Sequence, residues 1–159
     1  MKNQFLKDEY YHSWVRLSQA RNTIFKARNK ELRLYNITAV QGAILFAINT
    51  IKATEGEVTI VKISNWLVRE HHTVSGIINR MINKGLVSKI KGSGIKKGAN
   101  VILTEKGEQV YRQSLKRESI HEIMSCLSEE ERQQLDSSLE KLRDKALKTL
   151  AEAHKVPFP

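Results

Sequence analysis

The spacing of apolar residues changes at Gly85, and this change limits the folds that the chain can adopt. Before Gly85, bulky aliphatic side chains recur every one to four residues, which predicts one face of a helix; they are Val74, Ile77, Ile78, Met81 and Ile82. After it, residues 86–91 are rich in β-forming residues and partly alternate, 92–94 predict a turn, 98–100 a second piece of loop, and 101–103 a returning strand. The sequence therefore predicts a helix followed by a β-hairpin with a glycine-rich tip.

Three more helices are predicted before this one. The first covers about residues 5–33. The second begins at Thr38, which forms the pattern of a capping box with Gln41, and its apolar stripe runs until 55–57. A short third helix follows from about Thr59, and Val58 with Thr59 is a candidate for a very short strand. The third and fourth helices and the hairpin together predict a helix-turn-helix followed by a wing.

Two helices are predicted after the hairpin. Thr104 suits the N-cap of a helix over about 105–124, and Ser128 with Glu131 forms a second capping box. A coiled-coil-like apolar seam follows, made by Leu135, Leu139, Leu142, Ala146, Leu150 and Ala153. The expected fold class is mainly α with a small β-hairpin wing. Residues 38–104 would form a winged helix-turn-helix DNA-binding domain, and 1–37 with 105–159 a helical dimerisation region.

The polar face of the fourth helix has an unusual composition. It carries Thr73, Ser75, Gly76, Asn79, Arg80 and Asn83, and the sequence holds no carboxylate from residue 73 to residue 91. A solvated helix would mix acids and bases on this face, whereas hydroxyls, amides and arginine reach base edges in the major groove of DNA. Gly76 costs about 1 kcal/mol of helix propensity relative to alanine, and the absence of a Cβ permits a close approach to the groove.

The distribution of charge supports a polyanionic partner. The chain has 27 Lys and Arg against 17 Asp and Glu, a formal net charge of +10. Between residues 62 and 97 eight basic residues face one acid, Glu70. Such an excess favours nucleic acid or an anionic membrane surface. No apolar run approaches the roughly 20 residues of a membrane span, and the N-terminus lacks an apolar signal core, so we expect a cytoplasmic protein without a membrane partner.

Several segments together resemble the winged-helix core of the MarR (multiple antibiotic resistance regulator) family. They are IVKISNWLVREHHTVSGIINRMINKGLVSKI at 60–90 and VILTEKG at 101–107, and LSEEERQQLDSSLEKL at 127–142 is similar to the start of the family's last helix. The residues that occupy the family's motif positions are Ile63, Ser64, Leu67, Thr73, Val74, Ser75, Arg80, Met81, Gly85, Leu86, Val87 and the run from Leu103 to Gly107. The similarity extends from about residue 10 to residue 150.

This resemblance implies a homodimeric regulator that binds double-stranded DNA, with its terminal helices interlocked across a twofold axis. Thr73, Ser75, Gly76 and Asn79 would face bases, and Arg80 a phosphate or a base edge. The full set of residues predicted to contact DNA also includes His72, Lys89, Lys91, Lys96 and Lys97. The family's wing usually carries Asp-x-Arg before the second strand, where this chain has Ile95-Lys96-Lys97, so the arginine fork that the family's wing offers to the minor groove is absent here.

Other residues are candidates for further sites. The family often binds small phenolic effectors, and Tyr10, Tyr11, Trp14 and Trp66 are candidates to line such a site, although aromatic residues at helical spacing more often belong to a core. His71, His72 and His12 lack the spacing of a metal site. The only cysteine, Cys126, excludes an internal disulfide framework and is expected to be half-buried, with a redox switch as the alternative. No motif predicts an enzyme or a cofactor.

The expected function is a regulator of transcription, a repressor that binds a pseudo-palindromic operator and is released by a small effector. Two alternatives remain open from the residues. One is an architectural protein that binds DNA without sequence specificity. The other is a winged-helix module whose basic face binds an acidic protein.

Overall fold

A computed structural model of the chain describes residues 8–91 and 99–153, and the chain divides into two compact units between Ser119 and Ile120. The first unit opens with α1 (Glu9–Leu32), a short 3-10 turn (Arg33–Tyr35), α2 (Ala39–Glu55), α3 (Ile60–Leu67) and α4 (His71–Asn83). The strands β1 (Val87–Lys91) and β2 (Ala99–Leu103) follow, and then α5 (Glu105–Ser114). The last helices are α6 (Glu118–Met124) and α7 (Glu129–Ala153). The predicted mainly helical fold with a two-stranded wing is confirmed.

The core of the first unit is built around α2. Its start is the predicted capping box: Gln41 N–H donates to Thr38 Oγ1 at 3.2 Å, and Thr38 N–H donates to Gln41 Oε1 at 3.1 Å. These two bonds satisfy backbone donors that the first turn of a helix leaves free. From there α2 buries its apolar residues against the surrounding helices and the sheet: Ile44, Leu45, Ala47, Ile48 and Ile51.

The fourth helix packs on this core through the face that the sequence predicts. Val74, Ile77, Ile78 and Met81 are buried, and Ile82 is half-buried. Burial of an aliphatic side chain of this size contributes about 1.5–3 kcal/mol. The inner face therefore holds α4 to the domain, which leaves its outer face available for another role.

The two strands pair as an antiparallel hairpin, with Val87 opposite Leu103 and Lys91 opposite Ala99. The prediction of a loop at residues 98–100 was wrong for Ala99 and Asn100, which are part of β2. Their pairing is stabilised by a segment far away in the sequence, since Val58 N–H donates to Asn100 Oδ1 at 2.7 Å and Val101 N–H donates to Val58 O at 2.7 Å. Val58 is thus hydrogen-bonded to the second strand of the hairpin, but the very short strand considered at Val58 and Thr59 does not form.

The prediction of one helix over about 105–124 was also wrong. Thr104 caps α5 as expected, accepting from Gly107 N–H at 3.0 Å, but the helical run ends at Ser114 and a second helix begins at Glu118. Arg117 lies between them with φ of 52°, a left-handed conformation that interrupts a helix. Gly107 fits close against the hairpin, because a Cβ there would lie 1.9 Å from Leu86 O.

A half-buried ion pair lies beside the break between α5 and α6. Glu31 of α1 accepts hydrogen bonds from the backbone N–H groups of Glu118 and Ser119 and from the Ser119 hydroxyl, so its carboxylate caps α6. Arg28 Nη1 lies 2.7 Å from Glu31 Oε2, and Arg28 Nη2 donates to Ser114 O at 2.6 Å. Burial by itself would raise the pKa of Glu31, but the bonds from Arg28 and Ser119 and the charge of Arg28 lower that pKa to about 2.

The second unit is dominated by α7. Its start is the predicted capping box, with Ser128 N–H donating to Glu131 Oε2 at 2.8 Å and Glu131 N–H donating to Ser128 Oγ at 3.2 Å. The predicted seam lies on this helix and includes Leu139, 39% exposed, and Leu142, 56% exposed. Leucines at this spacing and exposure form a surface that another helix could cover.

None of the described helices alone has both the length and the hydropathy needed to cross a membrane. Only the segments Glu9–Tyr35 and Ala39–Glu55 taken together, bent by 78° at the break between them, have a suitable length and composition.

Candidate nucleic-acid interface

A tight turn connects α3 to α4 and sets the direction in which the fourth helix leaves the third. Val68 ends α3 with φ of 50°, a conformation that costs a β-branched residue about 1–3 kcal/mol. Two backbone bonds hold it: Val68 N–H donates to Asn65 O at 3.1 Å and Arg69 N–H donates to Ser64 O at 2.9 Å. The helix α4 then begins at His71, with Glu70 as its N-cap residue.

The predicted reading residues lie together on the outer face of α4. Asn79 and Arg80 are exposed, as is His72 in the first turn. Thr73, Ser75 and Gly76 are half-buried along the same face. Along the sequence from residue 62 to residue 91 the one acid is Glu70, at the N-terminal end of the helix, where the helix dipole stabilises a negative charge. The face is therefore open to a partner and free of acids along its length.

A Cβ at Gly76 would have little to pack against in the part of the chain that the structure describes. Beyond the nearby backbone of its own helix, it would have only Arg80 Nη1 within 4 Å, at the ordinary contact distance of 3.8 Å. The backbone there is helical and needs no positive φ. Because an alanine would fit and would favour the helix, the glycine is not explained by the fold.

The first strand of the wing lies beside this face. Lys89 and Lys91 are exposed on β1, and Lys89 Nζ donates to Asn79 Oδ1 at 3.1 Å. The other two predicted wing lysines, Lys96 and Lys97, lie outside the described residues. The structure therefore joins one wing lysine to the helix and places a second on the same strand.

Two more lysines near α4 hold the fold together. Lys84, at the C-cap of α4, donates from Nζ to Asn36 O at 2.7 Å and to Gln41 Oε1 at 3.4 Å. Lys106 Nζ donates to Lys84 O at 2.8 Å. These bonds connect the end of α4 to the turn between α1 and α2, so part of the positive charge of this region has a structural use.

The four aromatic residues considered for an effector site fall into two groups. On α1, Tyr11 and Trp14 stack with ring centroids 5.4 Å apart, and Tyr10 is 91% exposed, so these residues do not form a core. Trp66, 43% exposed, instead contacts Phe46, with centroids 5.6 Å apart.

A third side chain joins this group through Phe46. Arg117 Cζ lies 5.1 Å from the centroid of the Phe46 ring, a cation–π arrangement. Phe46 and Arg117 were not identified from the sequence. Phe46 lies within the apolar pattern of α2, and Arg117 lies in the middle of a predicted helix, so neither position suggested this contact.

The last two features weighed from the sequence are the cysteine and the possible metal ligands. Cys126 is exposed, and the expectation that it is half-buried was wrong, because it follows α6 in the loop before α7. Within residues 8–91 and 99–153, no group of three His, Cys, Asp or Glu side chains is arranged to hold a metal ion.

Comparison with known proteins supports this architecture. The family model described as a winged helix DNA-binding domain matches residues 37–107. The organohalide-sensing transcriptional regulator RdhR, in its ligand-free crystal structure, is 31% identical, with a TM-score of 0.79 over 99% of this chain and 94% of its own. The same regulator in its 2,4-dichlorophenol-bound form is 30% identical over the same shares, also with a TM-score of 0.79. No curated protein sequence matches the chain.

More distant structures share the fold. A cysteine-to-serine mutant of MarR from E. coli, complexed with operator DNA, has a TM-score of 0.72 at 22% identity over 79% of this chain and 89% of its own. The S. aureus MepR–DNA complex has a TM-score of 0.74 at 22% identity over 88% of this chain and 99% of its own. At this identity the likeness concerns the fold.

Proposed function

Because this chain belongs to the MarR family of winged-helix, DNA-binding transcription regulators, we propose that it is a homodimeric repressor of a pseudo-palindromic operator. The observation that supports this most directly is the outer face of α4. Asn79 and Arg80 are exposed on it, no acid lies along it, and Lys89 flanks it from the wing. Such a face suits the major groove, where amides and arginine bind base edges and phosphates repel carboxylates.

In this proposal Thr73, Ser75, Gly76 and Asn79 approach the bases, and Arg80 contacts a base edge or a phosphate. His72, Lys89 and Lys91 contact the sugar-phosphate backbone, and Lys96 and Lys97 extend this contact from the wing. Two α4 helices would enter successive major grooves about 34 Å apart. Residues 38–104 serve as the DNA-binding domain, and the remaining helices serve dimerisation, with the exposed leucines of α7 as part of the interface.

Selection of bound sequences from random duplex DNA tests this proposal. We expect enrichment of an inverted repeat with half-sites about 10 base pairs apart. The variant Asn79→Ala with Arg80→Ala should lose the preference and keep its fold by circular dichroism. Equal binding of every sequence would favour an architectural protein, and the absence of salt-dependent DNA binding would favour a module that binds proteins.

We further propose that a small aromatic effector releases the operator. This rests on the group of Phe46, Trp66 and Arg117, which combines two aromatic faces with a cation suited to a phenolate. The relative RdhR, which senses organohalides, has a structure in a 2,4-dichlorophenol-bound form.

Titration with 2,4-dichlorophenol tests the effector proposal. We expect it to quench tryptophan fluorescence and to weaken operator binding in the wild-type protein and in Trp14→Phe, but not in Trp66→Phe or Arg117→Gln. If 2,4-dichlorophenol weakens operator binding by Trp66→Phe as much as by the wild type, the effector does not act at the group of Phe46, Trp66 and Arg117.

A further inference from the structure

A second basic feature lies apart from α4, in a cleft between the end of α1 and the start of α2. The cleft has a volume of about 440 Å³, and its lining residues are Lys26, Asn29, Lys30, Arg33, Ile37 and Thr38. Ile37 is buried, Asn29 is half-buried, and the three cationic side chains are exposed. None of the lining residues is an acid.

The three cations of this cleft have no counter-charge within the described residues. Lys26, Lys30 and Arg33 recur after four and three positions, which places them on one side of α1 and its continuing turn. No ion pair or side-chain hydrogen bond joins any of them to another residue of 8–91 or 99–153. The neighbouring acid, Glu31, is engaged by Arg28 and by the start of α6. Like charges at this spacing repel each other, so an anion bound among them would relieve an unfavourable interaction.

The cleft is held open by bonds that do not use the cations. Asn29 Oδ1 accepts from Ala39 N–H at 2.7 Å, which fixes α1 against the start of α2. The backbone donors of Thr38 and Gln41 are used by the capping box. Because the N–H groups of Thr38, Ala39 and Gln41 are already used, the charge that would attract an anion comes from the side chains of Lys26, Lys30 and Arg33.

We propose that this cleft binds a phosphate group, and that the phosphate belongs to the DNA backbone next to the site that α4 reads. The choice of source rests on the proposed function and on Lys84, which connects the end of α4 to Asn36, three residues after Arg33. A free phosphate is the other source of the same chemistry. The cleft would extend the DNA-binding surface beyond the helix-turn-helix and the wing, adding affinity without sequence preference.

The test compares two triple variants that remove the same charges at the same spacing. The cleft variant carries Lys26→Gln, Lys30→Gln and Arg33→Gln, and the control carries Lys141→Gln, Lys145→Gln and Lys148→Gln on the exposed surface of α7. Binding to operator and to scrambled duplex is measured over a range of salt concentrations. With one phosphate per subunit of a dimer, the cleft variant should lose about 1.8 from the log–log salt slope on both duplexes. At 0.1 M salt its affinity should fall by about 60-fold, and the control should keep the wild-type slope.

A charge-retaining variant and a titration with phosphate distinguish DNA from free phosphate and charge loss from unfolding. The variant Lys26→Arg, Lys30→Arg and Arg33→Lys keeps the charge and should restore the slope, which excludes loss of folding as the cause. Sodium phosphate is added to the protein alone, against sodium chloride of equal ionic strength. If the slope of the cleft variant is unchanged but phosphate raises the melting temperature of the wild type and not of the variant, the cleft binds a free phosphate and DNA is excluded as the source. If the cleft variant keeps the wild-type salt slope and phosphate does not raise the melting temperature of the wild type, the cleft is not a phosphate site. Scrambled duplex and phosphate report on the cleft even if no operator exists.

Discussion

Lys89 Nζ donates a hydrogen bond to Asn79 Oδ1 at 3.1 Å, which joins the first strand of the wing to the outer face of α4. The bond uses one of the two lone pairs of the Asn79 amide oxygen and turns the amide so that Nδ2 remains available to a partner. An amide held in this way can donate to an acceptor such as guanine O6 or thymine O4. Lys89 is thus a positioning residue for Asn79.

A double-mutant cycle on operator binding measures this coupling. We expect Asn79→Ala and Lys89→Ala to be coupled by about 1 kcal/mol, because loss of either partner removes the same oriented amide. Lys91→Ala is the control, since Lys91 lies on the same strand without a bond to Asn79, and its coupling to Asn79→Ala should stay below about 0.5 kcal/mol. Additive losses for Asn79 and Lys89 would show that the bond has no role in the complex.

Replacement of Gly76 separates stability from binding. In Gly76→Ala the added methyl group meets only Arg80 Nη1, so the fold should gain up to about 1 kcal/mol, or about 2–4 °C in melting temperature. Operator binding should weaken by about tenfold or more, because the methyl group would stand between α4 and the groove. Calorimetry and a binding titration on one sample measure both effects. A variant that binds as well as the wild type would exclude close approach as the reason for the glycine.

The carboxylate of Glu31 should make the stability of the protein depend on pH in the acid range. Its pKa is lowered from 4.5 to about 2, and its side chain is 11% exposed, so its ionised form stabilises the fold by about 3 kcal/mol. This contribution is fully present above about pH 4.5 and is lost as the pH falls from there toward 2. Urea unfolding of the wild type and of Glu31→Gln at several pH values measures it.

The difference between these two proteins should be largest near neutral pH and should shrink toward pH 2. Glu140→Gln, which removes an exposed carboxylate of α7, is the matched control and should keep the wild-type stability at pH 7 within about 0.5 kcal/mol. A constant difference between the wild type and Glu31→Gln across this pH range would contradict the ionisation account.

The exposed seam of α7 should decide the oligomeric state. Sedimentation of the wild type should give twice the chain mass of 18.2 kDa. The substitutions Leu139→Lys and Leu142→Lys would introduce positive charges that a dimer buries without partners. We therefore expect them to shift the protein toward the monomer. Lys141→Gln, on the same helix, should leave the mass unchanged. A monomeric wild type would contradict the twofold arrangement proposed for operator binding.

Local physical rules were sufficient to predict much of this protein from its sequence. The caps at Thr38, Thr104 and Ser128 depend on residues three positions away, so the starts of α2, α5 and α7 follow from short segments. The two faces of α4 follow in the same way, because helical geometry alone sorts residues three and four apart onto one side.

Contacts between distant segments decided what the sequence did not reveal. The strand at Ala99 and Asn100 forms because Val58 supplies bonds from more than 40 residues away, and the break before α6 forms where Glu31 of α1 offers its carboxylate. The candidate sites also depend on such contacts. Local sequence does not reveal that Lys89 bonds to Asn79, that Arg117 contacts Phe46, or that the end of α1 and the start of α2 form a basic cleft. Sequence spacing determines which side of a helix a residue occupies, but only the packed chain determines what lies opposite that side.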